Sequence, residues 1–333
     1  MLHFNLLSYS NLKFSDALSQ ISGFIKENIQ KINSQTTDRT KEIFNERPII
    51  GIWTQPNNDT TGYIVSAYVK FVEMAGARVI PLNCNDTDEH LLDLVSQING
   101  VIYPGGETIL LNDDGSYTDY ARKGKLVLDK IKKMNDNGIY YPVWGICLGF
   151  QEITVIEAPY PDVFQRYKFD SENVANNVTF VEGLEQSKLY KSLSKELLQA
   201  LQTENITYNH HHDGVYPSVY KKYKELQQYY VLAVSYDNKG VKYTATIEHK
   251  KYPIYGHQYH PEKTAFIWRK DLVIPHYQKA QDLMQYYSNF FVGEAKKNTN
   301  HFRSEKEERA NLIENFLIEF TDSDFDDIYL FPY

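Results

Sequence analysis

The sequence predicts an α/β protein, a three-layer sandwich with a mostly parallel central sheet. From residue 48 onward, short apolar runs alternate with segments of helical periodicity, the pattern of a parallel sheet covered on both faces. Glycine-bearing turns follow two of the apolar runs, "YPGG" at 103–106 and "GICLG" at 145–149, and ligands of such sheets sit beyond strand carboxyl ends. The bulk numbers agree: 333 residues, 42% hydrophobic and 23% charged, are enough for one large or two medium domains.

Residues 1–47 read as an N-terminal extension. Leu18, Ile21, Ile25, Ile29 and Ile32 recur at steps of three and four behind Ser15 as N-cap, an amphipathic helix that packs on the main domain. Asp16 and Glu27 dilute its few lysines, which disfavours a membrane-surface role. "NSQTTDRT" is a linker, and the first residues lack the basic and continuous apolar regions of a signal peptide. The main domain spans 48–297. "RPIIGIWTQ" is its first strand, and Ile64, Val65, Tyr68, Val69 and Val72 form the stripe of a helix ending at Gly76. "ARVIPL" and "NGVIYPGG" are strands, 119–135 is a helix, and "YPVW" leads into a turn and a helix from Leu148. "YYVLAVSY", "VKYTATIEH" and "YPIYGHQYH" are further strands, followed by a helix over 276–297 and a charged, then acidic and aromatic, tail at 298–333.

Several function classes recede on composition. Net charge is -8 and no basic tract occurs, so no nucleic-acid footprint is expected. No run approaches the roughly 20 apolar residues of a membrane span. Two cysteines, Cys84 and Cys147, make neither a disulfide framework nor a structural zinc site by themselves. Four Asn-x-Ser/Thr sequons, at Asn58, Asn85, Asn177 and Asn205, favour a secretory route only slightly in so Asn-rich a chain.

Three segments hold residues suited to chemistry. Cys147 sits between Gly145 and Gly149 at a strand-to-helix junction. It is either a thiol at the tip of a sharp turn or an inert core cysteine beside a glycine bend. In the first case, the amides and dipole of the helix start stabilise a thiolate, and the Leu148 N–H points at whatever the sulfur attacks. His260 ends a strand with Glu262 two residues on, so the pair can act as a base and its orienting acid if that strand end faces the cysteine. His257 and His260 also qualify as metal ligands, but no further ligand set lies nearby. The glycines of "YPGG" offer amides to an oxyanion, or form a plain loop. Of the adjacent His210, His211 and His212, at least one lines a cleft or faces solvent.

The ordered set "YPGG", "GICLGFQ" and "YHPEK" resembles the class I glutamine amidotransferase fold, a flavodoxin-like arrangement. Within it the chain is most similar to the gamma-glutamyl hydrolase family, through "RPIIGI", "AYVKFVEMAGARVIPL", "INGVIYPGG", "YPVWGICLGF", "KYPIYGHQYHPEK" and "FFVGEAKKNTNHF", from residue 48 to about 303. The resemblance implies a nucleophile at Cys147, a base at His260, an orienting acid at Glu262 and an oxyanion hole at the amides of Gly106 and Leu148. It further implies substrate-binding roles for Gly105, Gln151, Asn209 and His211. The implied activity is cleavage of gamma-glutamyl bonds, with folylpoly-gamma-glutamates as the small-molecule substrate, no metal or organic cofactor, and a homodimer allowed. Gln151, Tyr259 and the "HHDG" segment depart from the animal pattern, which bears on substrate preference rather than on the reaction. Lys263 is a candidate for holding a polyanionic substrate. Relatives are lysosomal, vacuolar or secreted, whereas the N-terminus as it stands favours the cytoplasm. A glutaminase, a hydrolase of small gamma-glutamyl amides and a catalytically idle assembly subunit are the competing readings.

Overall fold

Five strands carry the site. In the computed structural model, β1 (Ile49–Trp53), β4 (Arg78–Leu82), β5 (Gly100–Tyr103), β6 (Val143–Ile146) and β12 (Ile254–His257) lie parallel in the order β4-β1-β5-β6-β12. Residues described are Lys26, 44–58, 61–321 and 327–332; apart from Lys26, the amphipathic segment at 15–32 and the linker at 33–40 lie outside them. Every residue of β1, β5, β6 and β12 is buried, as continuous apolar runs in a sheet covered on both faces require. Beyond β12 the sheet continues antiparallel through β11 (Lys242–His249), β10 (Tyr229–Tyr236) and β8 (Thr179–Phe180).

Strand alternation feeds two cores. Ile50, Ile52, Ile102, Trp144 and Ile146 pack with the helices Ser66–Glu73 and Gln278–Ala295 on one face. Trp53, Val101, Tyr103 and Val143 pack with the helices Asp88–Val95, Asp119–Asp136 and Leu148–Glu157 on the other. This is the three-layer sandwich that the alternation predicts. Among the described residues, no helix is long and apolar enough to cross a membrane.

Two local readings change. Ile64 and Val65 belong to β3 (Thr61–Val65), not to the helix, which starts at Ser66. Their spacing to Tyr68 fits a helical stripe, but β3 gains a full antiparallel ladder with β14 (Asp327–Pro332), and tertiary pairing overrides local periodicity. β14, from the C-terminal tail, joins β13 (Ile318–Phe320), β3 and β2 (Gln55–Asn58) in a second, four-stranded sheet. The strand expected over 252–260 ends at His257. The chain then turns away, and the N–H of His260 donates instead to Tyr208 O at 2.8 Å, on the ribbon strand β9 (Thr207–His211). β9 pairs with β7 (Ser171–Asn176) outside the main sheet.

The helix Leu148–Glu157 reaches the sheet only because two residues lack side chains. A Cβ on Gly149 would stand 1.9 Å from the Tyr103 carbonyl oxygen, and one on Gly145 would stand 2.7 Å from the Gly149 carbonyl oxygen. Gly149→Ala is expected to cost about 3 kcal/mol or more in thermal or denaturant unfolding, because backbone cannot move aside as a side chain can. Gly293→Ala is the contrasting control: it sits in the Gln278–Ala295 helix with nothing within 4 Å of its Cβ position. That substitution is expected to stabilise by about 0.5–1 kcal/mol.

Candidate active site

Cys147 occupies the junction between β6 and the helix that begins at Leu148, with φ 52° and ψ -109°, a backbone conformation that a non-glycine residue rarely adopts. Such a residue stores about 1–3 kcal/mol of strain, which the surroundings must hold. Here the restraint is visible. The Cys147 N–H donates to His257 O at 2.8 Å, extending the β6–β12 ladder by one step, and the close helix–sheet contact fixes the other side. The side chain is 5% exposed yet lines a groove. Cys147 is therefore both buried and at the tip of the turn, so the two sequence readings of it are not exclusive.

His260 and Glu262 meet behind the sulfur. The His260 Nδ1–H donates to Glu262 Oε1 at 2.7 Å, and the residues are 5% and 0% exposed. The His260 ring also hydrogen-bonds the Cys147 side chain, and with Nδ1 committed to the carboxylate, Nε2 serves the sulfur. Burial pulls the His260 pKa down, but the Glu262 carboxylate and the Cys147 sulfur outweigh it and raise the value from 6.5 to about 9. The imidazole is thus held as a cation beside the sulfur at neutral pH. The Gln258 Nε2–H group lies 3.7 Å from Sγ, a donor for a thiolate.

Tyr68 is a buried core residue, as its place on the apolar stripe predicts, and it is also a connector. Its hydroxyl accepts the Gly105 N–H at 2.7 Å and lies 3.5 Å from His260 Nδ1. A Cβ on Gly105 would meet the Tyr68 hydroxyl at 2.6 Å, His260 Cε1 at 2.8 Å and Cys147 Cβ at 3.3 Å, so this glycine lies where the three residues converge. Because the Gly105 N–H is engaged, Gly106 presents the loop to the groove. Leu148 lines the groove too, and as the first residue of its helix its N–H has no carbonyl one turn back to receive it.

The groove has a volume of about 580 Å³. Three walls form it: the loop 106–113, the loop 161–168 and the segment His210–Asp213, with Cys147, Leu148 and Gln151 as floor. All three histidines of the triplet line it. His211 donates Nδ1–H to Asp213 O at 2.8 Å, which leaves the Nε2 lone pair buried and without a partner among the described residues. Burial drives its pKa down to about 3, aided by the charge on His260, so it stays neutral. Gln151 Nε2 donates to Asp213 O and to Gln258 Oε1, both at 3.0 Å. Asn209 sits behind the wall, accepting from the Tyr243 hydroxyl and donating to Thr207 O at 3.0 Å each. Lys263 is not a surface cation: it is buried, with its ammonium over the Tyr208 ring. His257 is also buried and accepts the Trp144 Nε1–H at 3.1 Å. Among the described residues, no group of three or more His, Cys, Asp or Glu residues is placed to hold a metal ion.

The His260 shift predicts a pH profile. Because the folded value, about 9, lies above the 6.5 of the free side chain, the His260 contribution to stability is complete below pH 6.5 and is lost as pH rises through 9. In an NMR titration, Glu262→Gln is expected to drop the His260 pKa well below 9 and to flatten that limb of the stability curve. An unchanged titration would show that Glu262 does not set it.

Residues 48–262 match the Peptidase C26 family. The chain is 35% identical over 296 residues to gamma-glutamyl hydrolase B of Dictyostelium discoideum, covering 86% of this chain and 84% of that protein. It is 36% identical to the gamma-glutamyl hydrolase of Rattus norvegicus, covering 86% and 90%, and 34% identical to gamma-glutamyl hydrolase 1 of Arabidopsis thaliana, covering 86% and 83%. The chain belongs to the Peptidase C26 family of gamma-glutamyl hydrolases.

Proposed function

We propose that this protein hydrolyses gamma-glutamyl bonds with Cys147 as nucleophile, and that folylpoly-gamma-glutamates are its substrates. The observation that carries the reading is the Cys147 sulfur on the floor of the groove, backed by the His260 ring and, behind that, the Glu262 carboxylate. The thiolate attacks the side-chain carbonyl carbon of a gamma-glutamyl unit. The resulting oxyanion takes hydrogen bonds from the N–H groups of Gly106 and Leu148, donors of a kind worth about 10² to 10³ in rate. His260 gives the Nε2 proton to the departing nitrogen, the C–N bond breaks, and a thioester to Cys147 remains. His260, now neutral, takes a proton from water; the hydroxide adds to the thioester, the C–S bond breaks, and the thiolate and the imidazolium are restored. Glu262 holds the Nδ1–H tautomer throughout, and Tyr68 joins the Gly105–Gly106 loop to that pair. Gln151 and His211 line the substrate side, while Gly105 and Asn209 act from behind it.

A route through the secretory system accompanies this reading, to the lysosome or vacuole or to the outside of the cell. Asn85, Asn177 and Asn205 of the sequons are exposed, which supports it. Protein expressed in its own cells is expected to move faster on gels after removal of N-linked glycans; unchanged mobility favours the cytoplasm instead.

The decisive assay incubates the protein separately with glutamine and with a gamma-linked folate polyglutamate. The expected result is glutamate release from the second and not from the first; turnover of glutamine alone would reject the proposed substrate. Cys147→Ala is expected to lower the rate by roughly 10⁴-fold or more while leaving the unfolding transition in place. Tyr68→Phe is expected to reduce kcat by about ten- to a hundredfold with KM nearly unchanged, because it displaces a loop rather than a substrate contact.

A further inference from the structure

The outer wall of the groove contains a residue that packing does not explain. Tyr167 has φ 54°, in the left-handed region that disfavours a bulky side chain, yet it is 70% exposed. A glycine or asparagine would make the same turn at lower cost. The strain is held by the opposite wall. The Tyr167 N–H donates to Asp213 Oδ1 at 2.7 Å, and Gln165 and Gly214 exchange two backbone hydrogen bonds at 2.9 and 3.0 Å. Asp213 ties this wall to the floor, since its carbonyl oxygen accepts from Gln151 as well as from the neighbouring His211. The Tyr167 ring stacks on His212, with centroids 4.7 Å apart and planes 5° apart. The residue is 70% exposed, so much of the ring is open to solvent beside the Arg166 guanidinium, which lies over it at 5.3 Å from the centroid. Lys168 follows on the same wall, and no carboxylate pairs with it among the described residues.

We infer that Tyr167 is a specificity-determining platform: an aryl group attached to the gamma-glutamyl substrate stacks on its exposed ring, with Arg166 and Lys168 beside it for the substrate's carboxylates. This rests on the groove being the gamma-glutamyl hydrolase site. A flat ring held rigidly on a second flat ring, at the mouth of a groove and outside the core, matches an aromatic ligand better than an aliphatic one. The backbone strain is then the cost of pointing the ring outward.

The test compares benzoyl-capped and acetyl-capped gamma-glutamyl-gamma-glutamate, which carry the same charges. Wild-type protein is expected to prefer the benzoyl peptide by roughly five- to tenfold in kcat/KM, the size of one aromatic stack. Tyr167→Ala is expected to abolish that preference through KM while leaving kinetics on the acetyl peptide unchanged, and Tyr167→Phe to retain it. Unchanged acetyl-peptide kinetics also show that the variant is folded. Equal loss on both peptides, or an undiminished benzoyl preference in Tyr167→Ala, overturns the inference and leaves the hydrolase reading standing. A wild-type protein that cleaves neither peptide overturns the hydrolase reading and the platform with it.

Discussion

The hydrogen-bonded pair of His260 and Glu262, sealed from water, is the interaction on which the rest of the site depends. Two ionised groups in such a place carry a desolvation cost that their attraction offsets only when the geometry is good, and losing one partner leaves an uncompensated buried charge. The pair therefore contributes less to stability than to order. It fixes which imidazole nitrogen bears the proton toward the sulfur, and it holds the ring cationic at neutral pH against the pull of burial. A free histidine in the same apolar surroundings would be neutral, as His211 is a few residues from the groove floor. The contrast between these two buried histidines comes from the Glu262 carboxylate and the Cys147 sulfur beside one of them.

The sheet supplies the convergence. Cys147 follows β6, the Gly105–Gly106 loop follows β5, and His260 lies three residues past β12, so adjacent parallel strands deliver all three at their carboxyl ends. The fold contributes a second device in the Cys147 backbone, whose strained dihedrals project the sulfur while Gly145 and Gly149 let the helix close behind it. The antiparallel half of the sheet and the β7–β9 ribbon have a different task. β9 ends at His211, within the histidine triplet, and receives the His260 N–H, which ties that residue to the groove wall. Asp213, next in the chain, joins that wall to Gln151 on the helix that begins at Leu148.

Much of this was legible in the sequence because burial on both faces leaves a plain signature. β1, β5, β6 and β12 are buried throughout as short runs, and the glycines around Cys147 mark a place where a helix backbone comes against the sheet. What could not be read is what pattern alone cannot separate. Ile64 and Val65 have helical spacing to Tyr68 but pair with a strand more than 250 residues away, and no local rule contains β14. Tyr68 lies on an apolar stripe like any core tyrosine, and its tie to Gly105 and His260 exists only once three distant segments meet. Asp213 stands in the sequence only as part of the "HHDG" segment, and its role as a hub follows from the strain at Tyr167 that it restrains. Lys263 shows the reverse case: a lysine beside a polar strand end that folds inward over an aromatic ring.

The central claim is covalent and can be seen directly. When a reaction with a gamma-glutamyl substrate is quenched in acid within the first turnover, intact-protein mass spectrometry should find the acyl mass added to the chain. Peptide mapping should then assign it as a thioester on Cys147. Substrate turned over with Cys147 unmodified, or an acyl group carried on any other side chain, would contradict the account.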